Sequence, residues 1–414
     1  MPQPASWNSG FYRWVTRVIL APMTATGQTP EQIARTLLLP YLNHAVRMYE
    51  ASYASREDID AAMRFGCGYP KGPLATLDEL GLGTVRDQLA ARYAETGDHL
   101  HQPADLLETM VAEGRTFADE PSGAGDGAPQ LRHEIARVGV VGTGTMAAGI
   151  VQVFAQAGYD VVFVGRSDQK VDAVVAGITK ALDKAIERGK LDQDGKSAVI
   201  ERLIASTERE ALGDVDIVVE AIAEELEIKV ELFGDLDRIC KPGAILATTT
   251  SSLPITQLAN ATSRPESVIG MHFFNPAPVM KLVEVVTTEL TAPDVDETTK
   301  ALCASVGKVA VSCGDRAGFI VNCLLFPYLN DAVKLAESGV DLTVIDDAIK
   351  AEAGFPMGPF QLLDVVGNDV SLAIQKELYA EFKEPGFAPA ATLEQVVAEG
   401  RLGRKTGQGF HDYR

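Results

Sequence analysis

Residues 271–284 place a histidine and a glutamate in a pattern that could perform general-base chemistry. His272 follows an apolar run at 267–271, prolines at 276 and 278 then break the chain, and Glu284 lies on a second strand-like run. A turn between the two runs would bring imidazole and carboxylate together, which fixes the tautomer of the ring and raises its basicity. The pattern predicts a catalytic dyad, although a lone histidine at a strand end is more simply a core residue.

A glycine-rich turn upstream has the pattern of a dinucleotide site. Residues 142–147 follow the apolar strand 138–141 and open a helix. Gly142 permits the tight turn, Gly144 lets backbone N–H groups approach a pyrophosphate, and Ala147 allows close helix–strand packing. The predicted cofactor residues of this turn are Gly142, Gly144, Thr145, Met146 and Ala147.

The end of the next strand bears on which nicotinamide cofactor is used. NAD-binding proteins normally carry an acidic residue there, which hydrogen-bonds the ribose hydroxyls. Here the position is Gly165, followed by Arg166 and Ser167, which offer a 2′-phosphate a cation and a hydroxyl donor. The segment favours NADP over NAD; the alternative is that Arg166 is a solvated loop residue and NAD is bound weakly.

Composition excludes several classes of protein. A formal net charge of −20 argues against nucleic-acid binding, which requires a basic face. The five cysteines are scattered without a Cys-x-x-Cys pair, a pattern typical of reduced thiols and not of a disulfide framework or metal site. No apolar run approaches the ~20 residues of a membrane helix. The sequence therefore predicts a cytoplasmic protein without a metal or a membrane partner.

The chain divides into three segments, two of which are related. Residues 118–130 are rich in Gly, Pro and acidic residues and predict a linker, after which apolar runs alternate with amphipathic stretches, as in a parallel α/β sheet. Pro-Tyr-Leu-Asn occurs at 40–43 and again at 327–330, and Val-Ala-Glu-Gly-Arg at 111–115 and again at 397–401. These matches in register indicate a duplicated helical domain.

The predicted fold is therefore an α/β Rossmann dinucleotide-binding domain flanked by two related all-α domains. We assign residues 1–117 to a first helical copy (the first copy) and 118–132 to a linker. Residues 133–316 form the Rossmann domain, and 317–414 form the second helical copy (the second copy).

Several motifs in order extend this interpretation, at residues 239–242, 250–253, 272–276, 282–284 and 403–407. Through them the chain, from about residue 135 to its end, resembles the short-chain L-3-hydroxyacyl-CoA dehydrogenase family and in particular its bacterial 3-hydroxybutyryl-CoA dehydrogenases. The resemblance implies an active site in the cleft between the Rossmann domain and the second copy. It also implies NAD(P)-dependent interconversion of a 3-hydroxyacyl-CoA, with 3-hydroxybutyryl-CoA favoured, and the 3-oxoacyl-CoA.

The resemblance also implies residue roles. His272 would take the hydroxyl proton and Glu284 would orient it, while Ser251 and Asn322 would hydrogen-bond the substrate oxygens. The remaining positions that match the family near the cofactor are Glu224, Lys229, Asn275 and Lys405. Thr249 stands where the family has asparagine, and like Gly165 this departure bears on cofactor identity and not on the reaction.

Coenzyme A carries phosphates, so an acidic protein needs a local positive surface to bind it. Lys180, Lys184 and Arg188 recur every four residues of a predicted helix, and Lys190 follows. The family places a CoA-contacting lysine near Arg188, so we predict that Lys184, Arg188 and Lys190 contact the substrate CoA. The alternative is a solvated helix face on which acidic neighbours neutralise these cations.

The first copy lacks the residues for chemistry, because Arg35 occupies the position equivalent to Asn322. Relatives dimerise through their helical domains, so we expect the first copy to pack on the second as an internal pseudo-dimer within a monomer, with a homodimer as the alternative. Two rival functions stay open at this point. One is a dehydrogenase of a free hydroxy or sugar acid, and the other is a catalytically silent, crystallin-like relative.

Overall fold

The computed structural model describes residues 27–123 and 127–414. Residues 1–26 of the first copy and 124–126 of the predicted linker therefore lie outside the described residues. The domain boundaries given above stay a prediction.

Within the described residues, five α-helices precede the sheet. The first begins where Thr29 and Gln32 hydrogen-bond each other's backbone N–H in a capping box, with Pro30 at its first position. The five helices are α1 (Pro30–Glu50), α2 (Arg56–Gly66), α3 (Pro73–Leu80), α4 (Leu82–Thr96) and α5 (Asp105–Glu113).

Eight strands form one sheet in the order β3-β2-β1-β4-β5-β6-β7-β8. They are β1 (Arg137–Val141), β2 (Asp160–Val164), β3 (Leu203–Ser206), β4 (Ile217–Glu220), β5 (Ile245–Thr248), β6 (Val268–Phe273), β7 (Leu282–Thr287) and β8 (Val309–Gly314). The central strands β4 and β5 are buried along their whole length and apolar up to their last residue, because helices cover both faces of a parallel sheet. The α/β prediction is confirmed, but β7 pairs antiparallel with β6 and β8 is parallel to β7, so the last two strands reverse direction.

Six helices connect these strands and cover the sheet. They are α6 (Thr145–Gln156), α7 (Asp168–Glu187), α8 (Gln193–Glu201), α9 (Leu226–Ile239), α10 (Ile255–Asn260) and α11 (Pro293–Ser305). Gly144 is the N-cap of α6, which places the glycine-rich turn between β1 and that helix as predicted.

Five further helices follow the sheet and repeat the design of the first five. They are α12 (Val321–Glu337), α13 (Leu342–Glu352), α14 (Pro359–Val366), α15 (Asn368–Phe382) and α16 (Ala391–Ala398). Asn43 in α1 donates to Leu100 O and accepts from Ala104 N, and Asn330 in α12 donates to Ala388 O and accepts from Ala390 N. These matching side-chain hydrogen bonds show that the repeated asparagines connect the same helix to the same loop in each copy.

The two copies pack against each other through equivalent residues. Tyr41 contacts Tyr328, its counterpart, and the Tyr69 ring stacks on its own counterpart, Phe355, with 3.5 Å between centroids. Gly68 lies against Pro356 while Pro70 lies against Gly354, so each contact has a mirror contact. Such an isologous pattern is that of a two-fold dimer interface, here within one chain.

Among the helices of the described residues, none is long and apolar enough to span a bilayer.

Candidate active site

His272 and Glu284 face each other across the antiparallel pair β6–β7. The register places them directly opposite, and His272 Nδ1 lies 2.7 Å from Glu284 Oε2. Glu284 is fully buried, whereas His272 is 8% exposed and its side chain keeps a small accessible surface. Because an ionised carboxylate only accepts hydrogen bonds, the proton of the neutral ring is assigned to Nδ1, which leaves Nε2 free to take a proton. The strand reversal brings the predicted pair together.

The start of the second copy stabilises the buried carboxylate. Glu284 Oε1 accepts hydrogen bonds from the backbone N–H groups of Ile320 and Val321, at 3.0 and 2.8 Å. The chain reaches these positions through Gly318 and Phe319, both with left-handed backbone angles, φ +78° and +46°. A buried carboxylate needs such partners to stay ionised. The sheet and the second copy are therefore joined through the side chain that orients His272.

Two aromatic rings contact the histidine, and Asn322 follows the backbone that holds its partner Glu284. The rings of Phe274 and Phe319 contact the imidazole, with centroids 4.7 and 5.5 Å away. Asn322 follows Val321 in the first turn of α12 and is 8% exposed. It therefore lies one residue beyond the backbone group that holds Glu284.

The turn after β1 has the geometry that a pyrophosphate site requires. Gly142 has φ +129°, and a side chain there would collide with Ala221 O. Ala147 is fully buried against this turn. A side chain at Gly144 would meet no protein atom within 4 Å, so packing does not require its absence, and the backbone there is open to a ligand. These residues fit a dinucleotide.

Gly165 ends β2 against the same turn. A side chain at Gly165 would collide with Thr143 and Val171, so an acidic residue could not take this position without rearrangement. Arg166 and Ser167 follow, both exposed, at the N-terminus of α7.

Glu224 gathers hydrogen bonds from the segment that contains Ser251. Thr250 Oγ1 and Ser251 N donate to Glu224 Oε1 at 2.5 and 2.8 Å, and Ser251 Oγ lies 3.4 Å from it. Burial acts to raise the pKa of Glu224, but the Lys229 cation and these donors outweigh burial and lower the pKa. Glu224 therefore stays ionised and holds the 250–251 turn in place.

Lys229 is buried between two carboxylates. Its Nζ lies 2.6 Å from Glu220 Oε1 and 3.3 Å from Glu224 Oε2, and Lys229 and Glu220 are both fully buried. Thr248 also donates to Glu220, which supplies a second partner to that carboxylate. The cluster links the ends of β4 and β5 to α9, next to the predicted cofactor turn.

The remaining predicted residues lie apart from these clusters. Asn275 is exposed, before a loop whose Ala277 and Met280 carbonyls accept hydrogen bonds from Lys308. Lys405 forms an ion pair with Asp369 at the start of α15.

The predicted CoA residues lie at the end of α7. Lys184 is exposed on α7, Arg188 is its C-cap, and Lys190 follows, also exposed. Asp183 forms an ion pair with Lys196 of α8, so it does not neutralise Lys184.

Sequence reasoning missed the backbone donors at Ile320 and Val321, the buried Glu220 and the role of Thr250. A carboxylate at the end of the apolar strand β4 was a signal that could have pointed to Glu220. Across the described ranges, 27–123 and 127–414, no three His, Cys, Asp or Glu side chains are grouped so that they could hold a metal ion.

Comparison with known proteins gives a consistent result. The family model described as the 3-hydroxyacyl-CoA dehydrogenase NAD binding domain matches residues 137–316, and the model of the C-terminal domain matches twice, at 33–125 and 318–413.

Individual relatives match about two thirds of the chain. A 3-hydroxybutyryl-CoA dehydrogenase of Clostridioides difficile is 43% identical over 278 residues, which are 67% of this chain and 99% of that protein. A 3-hydroxyadipyl-CoA dehydrogenase of Escherichia coli is 42% identical over 67% of this chain and 59% of its own length. The crystal structure of an (S)-3-hydroxybutyryl-CoA dehydrogenase from Ralstonia eutropha aligns with a TM-score of 0.66 at 40% identity, over 68% of this chain and all of that one.

Proposed function

Because the chain belongs to the 3-hydroxyacyl-CoA dehydrogenase family, we propose that it interconverts 3-hydroxyacyl-CoA and 3-oxoacyl-CoA thioesters, with 3-hydroxybutyryl-CoA as its substrate. It is a nicotinamide-dependent oxidoreductase. The observation that carries the proposal is the His272–Glu284 pair, in which a fully buried carboxylate hydrogen-bonds a histidine that keeps some accessible surface.

His272 acts as the base. Its Nε2 accepts the proton of the substrate 3-hydroxyl, and the resulting imidazolium is stabilised by Glu284 through Nδ1–H at 2.7 Å. The N–H groups of Ile320 and Val321 hold the Glu284 carboxylate in place, so that it orients the imidazole ring. A bound nicotinamide supplies the hydride acceptor that the oxidation needs.

Ser251 and Asn322 hydrogen-bond the oxygens of the thioester substrate. Ser251 is held by Glu224, and Asn322 follows the residue that anchors Glu284, so both side chains sit on backbone that other contacts fix. Donors on a rigid backbone stabilise charge that develops on the substrate carbonyl. In this proposal Glu224 and Lys229 position the turn at residues 250–251, which carries Ser251, beside the cofactor.

The cofactor is NADP in preference to NAD. Gly165 excludes the usual carboxylate, since a side chain there would meet Thr143, and Arg166 and Ser167 offer a 2′-phosphate charge-assisted hydrogen bonds. The dinucleotide would be held by the turn at 142–147, with Asn275 and Lys405 contributing from outside that turn.

The test is acetoacetyl-CoA reduction, followed through nicotinamide absorbance with NADH and NADPH side by side. We expect a higher kcat/KM with NADPH, and we expect Arg166→Ala to lower that preference about tenfold, the cost of one charge-assisted contact. Lys170→Ala removes an exposed cation in the first turn of α7, the helix that follows Arg166, and is the matched control. Preference for NADH would disprove the NADP assignment alone, whereas no turnover with either would favour the hydroxy-acid or silent alternative.

The CoA moiety binds at the end of α7. Lys184, Arg188 and Lys190 present three exposed cations on an otherwise acidic protein. Arg188→Gln should raise the KM for acetoacetyl-CoA while leaving unchanged the KM for the N-acetylcysteamine thioester, which lacks the phosphates. Equal changes for both substrates would disprove this contact.

The protein is a monomer with an internal pseudo-dimer. The surface through which a dimer of helical domains would form is covered in this chain by the first copy, as the stacked Tyr69–Phe355 pair illustrates. Sedimentation should therefore give the 44.2 kDa of one chain. A dimer joined through the second copy would contradict the proposal.

A further inference from the structure

A cavity of about 190 Å³ lies between the two copies, and no residue of the proposed active site lines it. The first copy contributes Asn43, His44 and Arg47 to its wall, and the second copy contributes Phe382 and Glu384. Arg316, the last residue before the second copy, completes the wall. The cavity therefore exists only because the first copy packs on the second.

Arg316 is held in this wall by two aromatic rings. Its guanidinium lies over the Tyr53 ring, 3.9 Å from the centroid, and near Phe382 at 5.1 Å. Its Nε and Nη2 atoms are fully buried, so a molecule in the cavity cannot reach them. Nη1 is not among these buried atoms, and its N–H groups can donate to an acceptor in the cavity.

The charge balance of the cavity is positive. Arg47 adds a second guanidinium, which also donates to the carbonyls of His99 and Gln102. Burial, together with Arg316 and Arg47, lowers the pKa of His44 to about 3, so this ring is neutral at physiological pH. Glu384 is the one acidic residue in the wall, and within the described part of the chain it forms no ion pair with either arginine.

The rest of the wall is apolar. Met48, Leu100 and Phe387 line it together with Phe382. A cavity of about 150 Å³ holds a molecule the size of benzene, so this one has room for about six or seven non-hydrogen atoms. A strongly hydrated ion such as phosphate would lose its water against the apolar residues of the wall. A carboxylate with a short hydrocarbon tail can place its charge against the arginines and its tail against the apolar residues.

We propose that the cavity between the two copies binds a small organic carboxylate with a short hydrocarbon tail. The carboxylate accepts from Arg316, with Arg47 as a second cation, and the tail packs on Met48, Phe382 and Phe387. This assignment does not rest on the proposed function, because no catalytic or cofactor residue takes part in it.

The experiment is calorimetric titration of the whole protein with sodium n-butyrate, and with inorganic phosphate and n-butanol as comparison probes. We expect saturable binding of one butyrate per chain, at least tenfold weaker in Arg47→Gln and Arg316→Gln. Binding should be tighter in Glu384→Gln, which loses the competing negative charge. Arg64→Gln removes an exposed cation of the same copy and should leave binding unchanged.

His272→Gln separates this cavity from the catalytic cleft, because binding in the cavity should survive that substitution. Arg47→Lys keeps the charge should Arg47→Gln fail to fold. Butyrate binding that Arg47→Gln and Glu384→Gln leave unchanged, or that His272→Gln abolishes, would overturn the proposal. So would the absence of saturable binding, equal binding of n-butanol, or a preference for phosphate.

Discussion

The two helical copies keep the same scaffold and differ where chemistry takes place. Asn43 and Asn330 make the same kind of contacts between a long helix and a later loop. At the start of that helix, however, the second copy carries Asn322 beside the amides that hold Glu284, while the first carries Arg35 in an ion pair with Glu31. The hydrogen bonds that hold each copy together are retained in both, and among the described residues it is the second copy that hydrogen-bonds Glu284 of the dyad.

This difference separates two roles of one fold. In the second copy the turn at 318–322 completes the active site, because its backbone N–H groups reach Glu284. The first copy keeps the surface that packs on the sheet and on the second copy. Its Gly66 lies so close to Leu282 and Val321 that any side chain there would collide with them. The first copy therefore supports the element that carries the chemistry without contributing to the chemistry itself.

The largest effect should come from the carboxylate that depends on the second copy alone. In Glu284→Gln the amide cannot accept from both backbone N–H groups and from His272 as a carboxylate does, so we expect kcat to fall about 10²–10⁴-fold. Steady-state kinetics with acetoacetyl-CoA measure it, and circular dichroism checks folding. Near-normal turnover by a folded variant would contradict the role of the dyad.

A matched pair of substitutions tests the difference between the copies directly. Asn322→Ala should lower kcat about 10²–10³-fold, the usual cost of losing one donor to a developing oxyanion. Arg35→Ala, at the equivalent position of the first copy, should leave kcat and KM unchanged. If both variants lost activity alike, the two copies would not divide the roles in this way.

Asp60 and Asp346 occupy equivalent positions and differ in their partners. Asp60 Oδ1 accepts from Leu74 N at the start of α3, and burial raises the pKa of Asp60 to about 6, whereas Asp346 also accepts from His411. The unfolded pKa of an aspartate is about 3.9, so the folded state holds this proton more tightly. Protonated Asp60 therefore contributes about 3 kcal/mol to the free energy of unfolding. This contribution is complete below pH ~4 and is lost as the pH rises through ~6.

Urea denaturation from pH 4 to 7 measures this trend as the difference between the unaltered protein and Asp60→Asn, which cannot titrate. A difference that stays constant with pH would contradict a raised pKa at Asp60.

The smallest effect should distinguish the two scaffold asparagines. Asn43 makes three side-chain hydrogen bonds and Asn330 makes two. Each alanine variant should lower the free energy of unfolding by about 1–3 kcal/mol, with Asn43→Ala lower by about 1 kcal/mol more. Urea midpoints measure both, and kcat at 25 °C should not change. If the free energy of unfolding did not change in one of the two variants, the two copies would not share this stabilising contact between helix and loop.

Much of the site could be predicted because its signals are local in sequence. His272 and Glu284 lie on apolar runs separated by a proline-rich turn, and strand pairing alone brings them together. The glycine-rich turn at 142–147 likewise follows from one strand and one helix. In both cases short-range patterning determined the geometry.

Other features could not be predicted, because they depend on groups that leave no pattern. Backbone N–H groups at Ile320 and Val321 carry no side-chain signal. The burial of Lys229 against Glu220 depends on how α9 packs on the sheet. The parallel pairing of β8 with β7 is a property of chain connections and is not visible in the hydrophobic pattern of either strand.

The mirrored contacts between the two copies make the stability of their interface independent of protein concentration. Because Tyr69 and Phe355 belong to one chain, their encounter is intramolecular and is governed by an effective concentration fixed by the tether between them. A separate-subunit interface of the same kind would dissociate as protein becomes scarce, whereas this one stays closed at any abundance. The cavity between the copies is therefore complete in every folded molecule.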